Sequence, residues 1–298
     1  MTDSTPEADI NADADADAPP ARRHYTPGWS VLRAEGPDAA AFLHNMSTNH
    51  VQGLAVGAAH EALFTNVKAR SIAHAVVCRP REEGFFVVVT SGRAAQLHTH
   101  LDRYHIREDL TLTVDADPQP VLVWGADGDG PPGFDLPVLG CRLCVDPASG
   151  GWGTPLGAGE FDTLRVPTGF PLDGVDVDEG NLPQELNRDA AIINFNKGCY
   201  LGQETVARID ALGRVAKLMV GVSFAGAPTL SAGDTLQADG RDAARVTTVA
   251  ADASGGGCVA LAYARREFAA AGCVLSAPGG EAGEVRAGWA PAAVPPIG

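Results

Sequence analysis

Lys197-Gly198-Cys199-Tyr200-Leu201-Gly202-Gln203-Glu204 is the stretch on which the reading of this chain turns. It sets one cysteine beside a lysine and between two glycines, at the mouth of a helical run. A thiol reacts as the thiolate, and a nearby cation and a helix N-terminus both favour that form. Glycines on either side free the backbone for positive φ and for close approach of a ligand. The plain alternative is a small buried cysteine in a tight turn.

Working outward, a chain of 298 residues is long enough for two or three structural units. It is 45% hydrophobic and 20% charged, with a net charge of −15. Residues 1–18 carry six acids and no base, so the body alone is still acidic. That balance disfavours direct nucleic-acid or anionic-membrane binding. Residues 1–24 alternate Ala and Asp before Pro19-Pro20 and Arg22-Arg23, and read as a disordered acidic tail. No apolar signal-like run follows a basic start, and no stretch is long enough to span a bilayer, so a cytoplasmic location is expected.

Six cysteines are too few for a disulfide scaffold. Cys78, Cys258 and Cys273 sit in strand-like runs and read as packing residues. Cys141 and Cys144 form one C-x-x-C, but no second pair follows to complete a zinc site, and a turn rather than a helix comes after it. No metal site is expected.

Strand-like runs are read at 29–32, 61–67, 71–78, 85–90, 110–114, 121–124 and 160–166. Helices are read from Pro37 through Met46, and from Ser91 as N-cap to about His105. Residues 125–159 are rich in Gly, Pro and Asp and read as irregular. A short helix runs from Thr205 to Leu212 and stops at Gly213. Beyond it, six short strands between Gly-rich turns (217–224, 235–237, 245–249, 258–264, 273–275, 285–289) suggest a small barrel. The class is α+β: a region 25–213 of two intertwined mixed units carrying the cysteine motif, then a barrel from 214 to 298.

The motif Lys197–Glu204, continued by Val206-Ala207-Arg208, resembles the signature of the YgfZ-type folate-binding proteins. These are relatives of the glycine-cleavage T protein, the aminomethyltransferase. Arg165 through Gly174 is similar to that family's Arg-x-x-x-Gly-x-Pro-x-x-Gly segment, and Pro183-Gln184-Glu185 to its Pro-x-Glu segment. Weaker blocks are Phe42-Leu43 through Asn49 and Lys68–Ile72. Where the family reads Lys-Gly-Arg this chain has Lys68-Ala69-Arg70, which strains the turn if it needs positive φ.

The resemblance implies two α+β units and a barrel around a central hole that holds tetrahydrofolate or a derivative. It implies a role in making or repairing iron–sulfur enzymes, including those that modify tRNA, with no direct tRNA contact. Cys199 is then the working thiol and Lys197 its companion, either lowering the thiol's pKa or meeting a folate carboxylate. Arg165 would clamp the folate glutamate tail, and Glu185 would anchor the pterin unless it caps a helix. Tyr200 would pack on the pterin unless it is a core residue, while Gln203 and Arg70 complete the cofactor set. The competing function is folate-dependent one-carbon transfer. A cysteine hydrolase would need a histidine base, and none follows His105. Iron–sulfur assembly proteins or client enzymes are the implied partners.

Overall fold

The fold is that of a computed structural model, which describes residues 22–117, 119–125, 131–146, 152–213, 215–253 and 256–289. Its first two strands, β1 (Arg23–Tyr25) and β2 (Ser30–Glu35), enter different sheets. After α1 (Ala39–Met46) come β3 (Ala59–Thr65), β4 (Ser71–Arg81) and β5 (Gly84–Val89), then α2 (Ala94–Asp102) and β6 (Thr111–Val114). These build a five-stranded antiparallel sheet in the order β3-β4-β5-β2-β6. Its strands are apolar on both faces because both are covered. Ala75, Val77 and Val87 face α1 and α2 through Phe42, Leu43, Leu97 and Leu101. Val76, Cys78 and Val88 face the second sheet through Trp124, Leu143, Phe161 and Phe170.

That second sheet holds β7 (Val121–Trp124), β8 (Phe134–Leu136), β9 (Cys141–Cys144) and β10 (Thr154–Pro155), in the order β10-β1-β7-β9-β8. The α+β reading holds. Region 125–159, however, is not wholly irregular: β8, β9 and β10 lie there. Strands of two to four residues carry little alternation, and their partners are remote in sequence, β1 pairing with both β7 and β10.

The expected strand at 160–166 is also corrected, for it forms α3 (Ala158–Arg165). Glu160 reaches back to accept from the Gly157 backbone N–H at 2.8 Å, a helix-start contact. Phe161 and Arg165, four residues apart, share its buried face. The helix after Ser91 starts two residues later than read, because the Ser91 hydroxyl donates to Asp173 at 2.7 Å. Of the tail, 22–24 are described, Arg23 and His24 lying in β1, while 1–21 lie outside the described residues. Cys141 and Cys144 are both buried on β9, in different packing clusters. Burial pushes the Cys144 thiol up to about 11 and raises Cys141 well above its ordinary value.

Two short helices follow, α4 (Asp189–Ile192) and α5 (Gln203–Leu212). The C-terminal strands are β11 (Lys217–Phe224), β12 (Thr235–Ala238), β13 (Arg241–Ala251), β14 (Cys258–Arg265), β15 (Val274–Ser276) and β16 (Ala282–Val285). They close into a barrel, β11-β14-β13-β12-β15-β16, around Val222, Phe224, Leu236, Ala260, Ala262 and Leu275. The last strand ends at Val285, short of Trp289; residues 290–298 lie outside the described residues.

Arg165 joins this barrel to α3, and here the tail-clamp reading is corrected. The side chain is 1% exposed and donates inward, to Asp162 at 2.6 Å, Asp176 at 2.8 Å, the Phe170 carbonyl at 3.1 Å and Thr248 at 3.2 Å. Asp176, equally buried, accepts further bonds from Thr247, Thr248 and the Leu172 N–H. Removing one partner from such a pair strands the other charge in a dry interior. Arg165→Ala is therefore expected to destabilise the protein by about 3 kcal/mol or more, read as a shifted urea midpoint.

Candidate functional site

The cysteine motif lies between α4 and α5 and is braced against the end of α1. The last carbonyls of a helix have no partner within it and attract a cation. Lys197 supplies that cation: its ammonium donates to the His44 carbonyl, to Ser47 O at 2.6 Å and to Asn49 O at 2.8 Å. It also sits 4.9 Å from the centre of the Tyr200 ring. Burial pushes the Lys197 ammonium down to about 7, while carbonyl dipoles and ring face favour the charged form. More bonds fasten the segment: Asn194 N–H to Thr48 O at 3.0 Å, Leu201 N–H to Asn45 O at 2.9 Å, and Thr65 Oγ1 to Leu201 O at 2.7 Å.

Lys197 therefore has a different task from the expected one. All three of its protons are directed at backbone carbonyls, so it builds the loop. The exposed residue is Cys199, with Phe195 (43% exposed) also open on the same loop. Gly198 leaves open space, since an added Cβ there would meet nothing within 4 Å. Gly202 is different: its φ is +86°, and a Cβ would lie 2.6 Å from Asn66 O and 3.0 Å from the Ala69 Cα. The motif is thus seated on the turn 66–70, which Asn66 closes by accepting from the Lys68 and Arg70 N–H groups. Ala69 in that turn has φ +58°, so the alanine does occupy the left-handed region.

The remaining predicted residues separate into groups. Tyr200 is a core residue packed with Leu63, Ala69, Leu186 and Val206, its phenol pushed up to about 12 by burial. Gln203 opens α5, half-buried, its side-chain amide in no hydrogen bond among the described residues. Arg70 donates to the Gly180 carbonyl. Glu185 accepts from Leu182 N–H at 3.3 Å and Asn181 Nδ2 at 3.2 Å, closing its own turn, and lies 3.7 Å from Lys217 of the barrel. Because Ser71 N–H bonds Asn181 O, Arg70 and Glu185 belong to one polar strip. Arg165 lies elsewhere, in the barrel joint.

The sequence reading missed a cavity of about 610 Å³ lined by residues from both sheet units and from the segment that follows the barrel. Glu61 comes from β3, Thr168 and Pro137 from the second unit, Arg188 and Asp189 from the start of α4, and Trp289 from beyond β16. None of the seven predicted site residues lines it. Arg188 donates to Glu61 at 2.5 Å and to Thr168 O at 2.9 Å, and His74 meets the other Glu61 oxygen at 3.1 Å. Burial opposes Glu61's charge, yet Arg188 and His74 together hold its carboxyl below the usual range. The Trp289 indole donates to Asn187 O at 2.9 Å and fills the place that a Cβ on Gly169 would take. The available signals were a lone acid in an apolar strand, Glu61, and paired charges at 188–189 ahead of an apolar run.

Two variants test the brace. Lys197→Met leaves three carbonyls without their cation and should lower stability by about 2 kcal/mol, with faster amide exchange over 194–201. At Ala69 two effects oppose each other: the left-handed backbone disfavours alanine by about 1 kcal/mol, and its buried methyl contributes about 0.8 kcal/mol. Ala69→Gly should therefore change stability by less than about 0.5 kcal/mol, whereas β-branched Ala69→Val should lose about 2 kcal/mol or more. Equilibrium urea unfolding separates these outcomes.

Comparison with known proteins agrees with this architecture. Residues 30–126 match the model of the GCVT N-terminal domain. The human iron–sulfur cluster assembly factor IBA57, mitochondrial, is 30% identical over 234 residues, covering 66% of this chain and 65% of that protein. The tRNA-modifying protein YgfZ of Colwellia psychrerythraea is 46% identical over 55 residues, 18% of this chain and 17% of that one. The chain spans about half to two thirds of the length of its first curated relatives. The aminomethyltransferase T structure from Bartonella henselae superposes with a TM-score of 0.79 at 17% identity, over 90% of this chain and 86% of that one, which is a likeness of fold. Domain match, relatives and three-part architecture converge: residues 30–126 match the GCVT N-terminal domain, the chain is similar in sequence to proteins of the IBA57 and YgfZ type, and its fold is that of the aminomethyltransferase T structure.

Proposed function

We propose that this protein is a folate-binding accessory factor for the assembly or repair of iron–sulfur clusters, with Cys199 as its working thiol. The observation that carries the reading is the exposed Cys199 on a loop held rigid by a buried lysine. A cluster requires several ligands, so one thiolate completes a site only with cysteines from a partner. The names of IBA57 and YgfZ relatives support the same direction. The partners proposed are therefore iron–sulfur assembly proteins or client enzymes. Any effect on tRNA modification runs through such clients, because an acidic chain is a poor direct tRNA binder. A cytoplasmic, reducing setting is proposed, in keeping with a working thiol that stays free.

Tetrahydrofolate or a derivative is the proposed ligand of the space between the three units. The cavity of about 610 Å³ falls in the range of small-molecule sites. Arg188, Asp189 and Trp289 line it, and the Trp289 ring offers a face to a planar heterocycle. Arg70, Glu185 and Gln203 keep polar atoms without a partner among the described residues and stay in the proposed ligand set. Arg165 and Tyr200 are committed to packing and leave it. Of the two acids at the cavity, Glu61 is paired with Arg188 and His74, which leaves Asp189 as the carboxylate that one-carbon transfer would have to use.

In cells lacking this protein, Cys199→Ala should fail to restore iron–sulfur enzyme activity while tetrahydrofolate binding, measured by calorimetry, is retained. Full rescue by Cys199→Ala would remove the thiol from the mechanism. Turnover of methylene- or methyl-tetrahydrofolate by the purified protein would favour the transferase reading instead.

A further inference from the structure

We infer that residues 290–297, Ala-Pro-Ala-Ala-Val-Pro-Pro-Ile, fold back from Trp289 across the mouth of the cavity beside α4 and cover it until a ligand enters. This strap rests on the ligand site proposed above only for what displaces it; its docking stands or falls without any ligand.

The segment starts at the cavity itself. Trp289, the residue before it, lines the wall together with Gly288. Its indole is fixed there: the N–H donates to Asn187 O at 2.9 Å, and the ring fills the place that a Cβ on Gly169 would take. A Cβ on Gly221 of β11 would stand 3.3 Å from the same ring, which also packs against Val166, Val259 and Leu261. The chain therefore passes residue 289 at a set point, between the second unit and the barrel.

Composition fits the segment to this wall. No residue after Arg286 is charged, in a chain whose net charge is −15, and three of the eight strap residues are proline. Burial of Val294 and Ile297 against apolar surface is favourable, and Pro137, Val138, Ala190 and Ala191 provide it. Prolines fix φ in advance, so less freedom is lost when the segment is ordered. Proline-rich chain docks on aromatic-lined grooves as a polyproline II helix, and Trp289 is the aromatic of this wall. At about 3.1 Å per residue, eight residues reach about 25 Å, enough to cross the mouth of a cavity of about 610 Å³. A tether this short gives an effective concentration on the order of millimolar, so weak contacts suffice. The acidic residues 1–18 are a poor occupant, because Glu61 and Asp189 stand at the same wall.

The test is hydrogen exchange across 188–193, read by mass spectrometry, with calorimetric titration of the same samples with tetrahydrofolate. The full chain is compared with a chain ending at Trp289 and with Val294→Asp, which keeps the chain whole but brings a third carboxylate to Glu61 and Asp189. Thermal melts verify each fold. The expected result is exchange at least threefold faster in both variants, and tetrahydrofolate binding at least threefold tighter than in the full chain. Unchanged exchange in Val294→Asp would overturn the strap whatever the shortened chain does, and tetrahydrofolate binding in that case would leave the folate proposal standing. Faster exchange in both variants, with no tetrahydrofolate binding by any form, would uphold the strap and overturn the folate proposal. Equal tetrahydrofolate affinity in all forms despite faster exchange would put the segment beside the mouth rather than across it, and overturn the strap. A dimer seen in sedimentation of the full chain and lost in the shortened one would assign the cavity to the segment of a second copy, and overturn it as well.

Discussion

Buried charge, fully matched, is the constraint on which this molecule depends. Arg165 and Asp176 lie in the joint between α3 and the barrel, one 1% and the other 2% exposed. A guanidinium or carboxylate in such a place is tolerable only when its hydrogen-bonding groups find partners. Both do, through Asp162, Phe170 O, Leu172 N–H, Thr247 and Thr248. Because these partners come from α3, the following turn and β13, the ion pair ties the barrel to the second unit in one orientation.

The same logic, on a smaller scale, governs the cysteine loop. Helix α1 ends with carbonyls facing inward, and Lys197 meets them with the one side chain that offers three donors and a positive charge. The loop that carries Cys199 is therefore rigid although its tip is exposed. A reactive thiol on such a support can be offered to a partner without ordering the loop at the moment of contact. Gly202 and the strained Ala69 turn complete the support from the other side.

The Glu61–His74–Arg188 set shows where matching stops. Glu61 is shared by two cationic or donor groups, while Arg188 Nε and Asp189 Oδ1 are left over. Matching of buried polar atoms is therefore incomplete beside the cavity, as it also is at Arg23 Nε and Arg79 Nε.

The chain alone determined a good deal. The apolar runs 71–78 and 85–90 made β4 and β5 legible as strands, while the burial of both their faces came only with packing. The Gly-punctuated short runs after 213 announced the barrel, and Lys197–Glu204 marked the loop that presents the thiol. The positive φ at position 69 was legible as a conflict between residue type and turn. The assignment of roles was not legible, because it depends on partners remote in sequence. Whether Arg165 reaches for a ligand or for Asp176, and Lys197 for a thiol or for backbone carbonyls at and just beyond the end of α1, 148 to 153 residues away, is set by which groups lie within hydrogen-bond distance once the chain has packed. Residue type and spacing carry the charge; only the tertiary structure decides what neutralises it.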